Sequence, residues 1–209
     1  MEIEYAISTF ISIMAIVNPM GAVSNYVGLT QGFSRKEKKE VIKRAVLVGA
    51  VTLIVITFIG KAIFDFFSIT VDSFRVGGGV ILFLIAMDMV RGTTSPAKLT
   101  DKEKIDSIER AQIGVIPLGI PLLAGPGAIT SVMIAMSDTS QGYPALLLVV
   151  VTSILIVMTI SFLILRQADL IFDRIGRAGT KIFSRLMGLI LAAIAVQFMA
   201  NGIIGLFNL

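Results

Sequence analysis

The chain contains no cysteine, no histidine and no tryptophan in its 209 residues. Without Cys there is no disulfide, no thiolate nucleophile and no soft metal site. Without His the commonest general base, proton shuttle and transition-metal ligand is missing. Charge is scarce as well: 15% of residues are charged and 56% are hydrophobic, with a mean hydropathy of +0.91. A soluble domain carries about 25% charged residues, so a soluble enzyme with a buried core is excluded. No G-x-x-x-x-G-K-[ST] stretch is present, which removes the nucleotide-binding loop of an ATP-driven pump. Met1-Glu2-Ile3-Glu4 is acidic where a secretory signal is basic, and no small-residue cleavage signal follows; no cleaved leader is expected.

What is present is a series of apolar runs, each approaching the ~20 residues that cross a bilayer as a helix. Between charged breaks they read as Tyr5–Thr30, Val41–Phe67, Phe74–Val90, Ile113–Met136, Pro144–Leu165 and Ile182–Phe207. The third is the shortest and carries Asp88. Ser34-x-x-Glu37 and Thr100-x-x-Glu103 fit capping boxes ahead of the second and fourth runs, and Pro144 suits a first helical turn. The expectation is an all-α polytopic membrane protein with six transmembrane helices in one membrane domain, residues 1–209.

The charges give an orientation. The 1–2, 3–4 and 5–6 connections hold sixteen of the eighteen Lys and Arg residues; only Lys61 and Arg75 fall in the 2–3 connection. Cytoplasmic loops are the basic ones, so both termini are expected outside a plasma membrane. The net charge of +4 is on this reading a topology signal, with no nucleic-acid partner.

The two halves, 1–98 and 99–209, resemble each other. Asn18-Pro19-Met20-Gly21-Ala22-Val23-Ser24 matches Gly125-Pro126-Gly127-Ala128-Ile129-Thr130 after one deletion. Ile63-Phe64-Asp65 recurs as Ile171-Phe172-Asp173, and Arg75, Gly78, Met89 and Gly92 fall on Arg185, Gly188, Met199 and Gly202 at a constant shift of 110. Three spans per half is an odd number, so the second half must enter the membrane upside down. That is an inverted repeat, the architecture of many carriers that work by alternating access.

Pro19 and Pro126 sit near the middle of spans 1 and 4, where each removes an amide donor and clashes with the preceding turn. Helices 1 and 4 are therefore expected to be broken at the midplane. After each break a new half-helix offers unpaired N–H groups and the positive end of its dipole. Met20, Gly21 and Ala22, with Gly127 and Ala128, are the predicted donors to an anionic group. The carbonyls near Val17-Asn18 and Ala124-Gly125 are the predicted acceptors from an ammonium. Ser24 and Thr130 complete a small-residue surround that fits a zwitterion with a short side chain. The competing structural reading is a kink that serves only close helix packing.

The motifs Asn18-Pro19-Met20-Gly21 and Ala124-Gly125-Pro126-Gly127, with six spans in about 200 residues, resemble the MarC family of integral membrane proteins over essentially the whole chain. That resemblance implies transport of small neutral amino acids, glycine and alanine among them. Proton or sodium coupling is the expected drive, because no nucleotide site exists. No cofactor, metal or catalytic residue is expected, and the runner-up is a passive channel or facilitator for a small solute. Asp88, the one carboxylate well inside an apolar run, is the coupling candidate, against a plain interfacial pair with Arg91. Lys61 and Asp65 read as an interfacial ion pair. Gln197 and Asn201 line the site or bond across helices, Ser8 and Ser12 share a face, and Gly77-Gly78-Gly79 permits close packing.

Overall fold

The structure, a computed structural model, describes residues 2–92, 118–137 and 143–207. It is helical, with no strand among the described residues. In chain order the elements are α1 (Glu2–Val17), α2 (Pro19–Leu29), α3 (Arg35–Phe67), α4 (Val71–Arg91), a π-helical turn α5 (Leu118–Leu123), α6 (Pro126–Ala135), α7 (Tyr143–Arg166) and α8 (Ala168–Phe207). Five stretches are long and apolar enough to cross a membrane: Ile3–Leu29, Arg35–Phe67, Val71–Arg91, Pro144–Arg166 and Ala178–Phe207. The run expected as a fourth span is represented by α5 and α6. α6 has only 10 residues, about 15 Å at 1.5 Å per residue, half of a bilayer core. Residues 113–117 of that run, the Thr100-x-x-Glu103 box and the boundary between the two halves lie outside the described residues.

Helix ends follow local chemistry. Ser34 caps α3 through the expected box: its Oγ accepts from Glu37 N–H, and Ser34 N–H donates to the Glu37 carboxylate at 2.7 Å. Two element bounds differ from the sequence reading. α4 begins at Val71 because Thr70 Oγ1 accepts from Ser73 N–H at 3.1 Å, which makes the shortest expected span a full 21 residues. The stretch after α7, expected as a loop, is helical from Ala168. It is amphipathic: Ala168 is buried while Asp169, Leu170, Asp173 and Arg174 are exposed. It breaks at Gly176, whose φ of 68° and ψ of 179° suit glycine alone. Ser68, 108 residues earlier, also has a left-handed φ (54°) at the end of α3.

The main core gathers Ile13, Val17, Leu53, Leu118, Leu123, Ile154 and Met158; a second cluster of Leu82, Ala86, Leu191 and Ala195 lies between α4 and α8. The outer faces are apolar too. Leu47, Phe58, Leu148 and Leu186 are all more than half exposed, a surface that suits lipid and not water. Hydroxyls in these helices turn back on their own backbone, as when Thr57 donates to Leu53 O at 2.8 Å and Ser161 to Val157 O at 2.7 Å.

Four of the helix pairings come in exchanged couples, while α1 also packs on α8 with no comparable α5–α4 contact among the described residues. α2 packs on α8 and α6 on α4; α1 packs on α7 and α5 on α3; α2 packs on α7 and α6 on α3; α1 packs on α6 and α5 on α2. α3–α7 and α4–α8 pair with each other directly. The antiparallel α4–α8 contact repeats the exchange at atomic detail. A Cβ on Gly79 would lie 2.6 Å from Met199 Cγ and 2.9 Å from Ala195 O; one on Gly188 would lie 2.9 Å from Met89 Cβ and 3.0 Å from Ala86 O. Toward the two ends, Arg185 flanks Gly92 and Arg75 flanks Gly202. Small residues here let two backbones approach closely, the usual basis of helix association in lipid.

Gly79→Leu is therefore expected to lower stability by at least ~1–3 kcal/mol through overpacking. Gly77→Ala, two residues away with no atom within 4 Å of its Cβ position, is expected to leave stability unchanged. Thermal unfolding of the two variants in detergent checks both outcomes.

Candidate functional site

The first interruption is built around Asn18. Its backbone is left-handed (φ 44°, ψ 65°), a conformation Asn tolerates better than most residues. Pro19 occupies the first position of α2, where its missing N–H costs least. Asn18 Oδ1 accepts from Gly21 N–H at 3.1 Å, and Asn18 O accepts from Ala22 N–H at 3.2 Å. Gly21 is fitted to this cap, since a Cβ there would stand 2.9 Å from Asn18 Cγ.

The second interruption is differently made. α5 closes with the wider bond Ala124 N–H to Gly119 O, 3.0 Å, and Gly125 is extended (φ −70°, ψ 172°). Pro126 begins α6, and no side chain caps the new helix. Gly125 O accepts from Ile129 N–H at 3.1 Å.

The carbonyls of Asn18 and Gly125, taken from the sequence as acceptors for an ammonium, are thus used by the first turns of α2 and α6. The Gly21 amide is likewise committed to Asn18. Among the described residues, the amides at the start of α6 have no such side-chain partner.

The fold sets the two interruptions against each other. Val17, Ala22, Ala124 and Ala128 belong to one buried cluster. A Cβ on Gly127 would meet Ile16 Cγ2 at 3.1 Å and also Leu82, so Gly127 abuts side chains of α1 and α4. Thr130 is buried, 3% exposed, and packs on Gly78 of α4. Ser24 is half-buried. Met20 lines a groove of about 180 Å³ shared with Ile175, Gly179, Phe183 and Leu186 of α8.

Other sequence candidates stand apart from this centre. Asp88 is exposed on the last turn of α4. Lys61 and Asp65 do not form the expected ion pair among the described residues; both line an open recess at the far end of α3. Gln197 Nε2 donates to Asn201 Oδ1 at 2.7 Å on an exposed face of α8, so these two satisfy each other within one helix. Ser8 donates to Tyr5 O at 2.9 Å.

Sequence reasoning missed three long-range ties. Tyr5 Oη donates to Ala135 O at 2.6 Å, joining the start of α1 to the end of α6. Tyr26 Oη donates to Lys38 O at 3.2 Å, and Lys38 Nζ pairs with Asp169 at 2.7 Å, joining α2, α3 and α8. A tyrosine in an apolar span seeks a partner for its hydroxyl, a signal that could have flagged Tyr5 and Tyr26; the partners themselves are set only by the tertiary fold.

Asn18→Ala is expected to cost about 1 kcal/mol for the lost cap and ~1 kcal/mol more for a left-handed backbone without Asn or Gly. Asn18→Gly keeps the backbone and should cost only a few tenths of a kcal/mol. An equal loss of thermal stability in both variants would remove Asn18 as the organising residue.

Comparison with known proteins fits this architecture. The chain matches the MarC family, described as MarC family integral membrane protein, over residues 3–207. It is 43% identical to a UPF0056 membrane protein of Methanocaldococcus jannaschii, covering 98% of each chain. It is 32% identical to the UPF0056 membrane protein YvbG of Bacillus subtilis, over 99% of this chain and 98% of that one. It is also 32% identical to the UPF0056 membrane protein YhcE of Escherichia coli, over 95% of this chain and 91% of that one. No solved structure matches the chain. With helices fit to span a bilayer and a family match over nearly its full length, the chain belongs to the MarC family of integral membrane proteins.

Proposed function

We propose that the chain is a secondary transporter of small neutral amino acids, glycine and alanine, across the plasma membrane. It works by alternating access and is driven by a proton or sodium gradient. The reading treats the halves as inverted three-helix repeats and the α1/α2 and α5/α6 interruptions as broken helices at their shared centre. The observation that carries it is the exchanged packing: the pairings α2–α8, α1–α7, α2–α7 and α1–α6 have counterparts in α6–α4, α5–α3, α6–α3 and α5–α2. Met199 on Gly79 with Met89 on Gly188, and Arg185 beside Gly92 with Arg75 beside Gly202, support the same two-fold relation. Such halves can trade conformations, opening a central site first to one side and then to the other.

The substrate class rests on the chemistry of the centre. The uncapped start of α6 at Gly127 and Ala128 offers donors to a carboxylate. The small residues Ala22, Ser24, Ala124, Ala128 and Thr130 exclude a long side chain. Packing around Gly127 is closed, which favours a carrier over the alternative of a passive pore. The ends of the bundle support an orientation. Lys36, Lys39, Arg91, Arg166 and Lys181 lie at the end of the bundle where α3 begins and α4 finishes; Lys61 and Arg75 lie at the other. On this reading the first end is the cytosolic one and both termini lie outside. No catalytic step, cofactor or metal is assigned.

Uptake of labelled glycine or alanine into proteoliposomes is the test. Saturable uptake, competed by unlabelled substrate, stimulated by one imposed gradient and accompanied by counterflow, is the expected result. Saturation without counterflow would mean a facilitator, and no uptake by folded protein would remove the substrate assignment. In Asp88→Asn, counterflow is expected to persist because Asp88 stands outside the packed centre; lost gradient stimulation there would assign it the coupling ion.

A further inference from the structure

We propose that residues 168–175, the start of α8, form a lid over the basic end of the bundle, hinged at Gly176 and latched to α3 by Asp169 on Lys38. The inner face of this segment closes the main core. Ala168 is fully buried in the cluster that also holds Val17, Ala22, Ala124 and Ala128 of the two interruptions, and Ile171 and Phe172 pack against the same cluster. The outer face carries Asp169, Asp173 and Arg174, all exposed. Such an amphipathic segment is held down by its apolar face. It lifts as a unit if one end can bend and the other can let go.

The bend is at Gly176. Its φ of 68° and ψ of 179° belong to a region essentially restricted to glycine, and no atom lies within 4 Å of its Cβ position, so packing does not brace it. Beyond the bend, a Cβ on Gly179 would collide with the Ile175 side chain; a small residue is needed where the chain turns. The end that lets go is Asp169. Lys38 Nζ donates to its two carboxylate oxygens at 2.7 and 2.9 Å, and Tyr26 Oη holds Lys38 in place by donating to its carbonyl at 3.2 Å. α8 packs on α4, α2, α1 and α7; the ion pair carries it across to α3 as well. The Asp169 side chain is 53% exposed, and an ion pair this open to solvent is weak enough to break and re-form. Tyr26 stands about 11 Å along α2 from Pro19 at 1.5 Å per residue, on the lid side of the first interruption. At the opposite end the bond from Tyr5 Oη to Ala135 O ties α1 to α6. Both ends are therefore closed in the conformation seen, each by a polar tie of different chemistry. The lid rests on the alternating-access reading above and adds to it the part that opens toward the basic end.

The test is sided labelling of a buried cysteine. The chain has no cysteine of its own, so Ala22→Cys, at a position 2% exposed, reports without background to a membrane-impermeant thiol reagent applied to vesicles of either orientation. Slow labelling from both faces is expected for this reporter alone. Adding Asp169→Asn should speed labelling from the basic face about threefold, with the other face unchanged, and adding Tyr26→Phe as well should bring it to about tenfold. Tyr5→Phe should act on the opposite face only. The exchange Lys38→Asp/Asp169→Lys restores the pair and should return the slow rate. Equal acceleration from both faces, none from the basic face, or acceleration in the exchange as large as in Asp169→Asn would overturn the lid. Ala128→Cys, equally buried on α6, repeats the measurement with a second reporter, and thermal unfolding of each variant separates opening from lost fold. Sided labelling in a protein that takes up neither glycine nor alanine would keep the lid and remove the substrate assignment alone.

Discussion

A backbone N–H or C=O inside a bilayer has no water to turn to, and this obligation organises the rest of the molecule. Continuous helices meet it along α3, α4 and α7. The two places where proline removes a donor must meet it locally. At the first, Asn18 does so with one side chain and one unusual backbone conformation: its Oδ1 takes the Gly21 amide and its carbonyl takes that of Ala22. At the second, the chain widens into a π turn and restarts at Gly125 in an extended conformation. Both solutions require close neighbours, and the fold supplies them by setting α1 against α6 and α5 against α2.

The second requirement is close helix approach without a hydrophobic driving force between helices already bathed in apolar solvent. α4 and α8 meet it with glycines placed under the partner's side chains. The same device recurs at Gly78 under Thr130 and at Gly127 under Leu82 and Ile16. Gly127 thereby has two readings in one residue: it marks the restart of a helix, and it is a packing surface in the conformation seen. A change there acts on both at once, so stability and the proposed transport must be measured together at that position.

Much of this was legible in the sequence, and the limits are physical. Five of the six apolar runs gave helices fit to span a membrane, the Ser34 box gave the start of α3, and Pro19 and Pro126 gave the places where the helical ladder fails. The start of α4 was readable too, from Thr70-x-x-Ser73, but a side-chain cap without an acidic partner is a weaker signal than a full box. The helix from Ala168 was masked by its charges: Asp169, Asp173 and Arg174 read as a loop until burial of Ala168 reveals the inner face. At the centre, residue types pointed to backbone donors and acceptors, whereas which of them remain available depended on Asn18 bending back on Gly21. No periodicity encodes that. The Lys61–Asp65 spacing allowed an ion pair, yet exposed side chains gain little from one, and here they do not make it.

The Asn18 cap has no counterpart at Gly125, and that difference has an energetic meaning. On the proposed reading of inverted repeats, two halves identical in sequence would give two equivalent conformations of equal free energy, with a resting population split evenly. A side-chain cap worth about 1 kcal/mol and made in only one of two such conformations would tilt their balance roughly fivefold. If the halves are the inverted repeats proposed above, a preferred resting side arises where the copies have diverged.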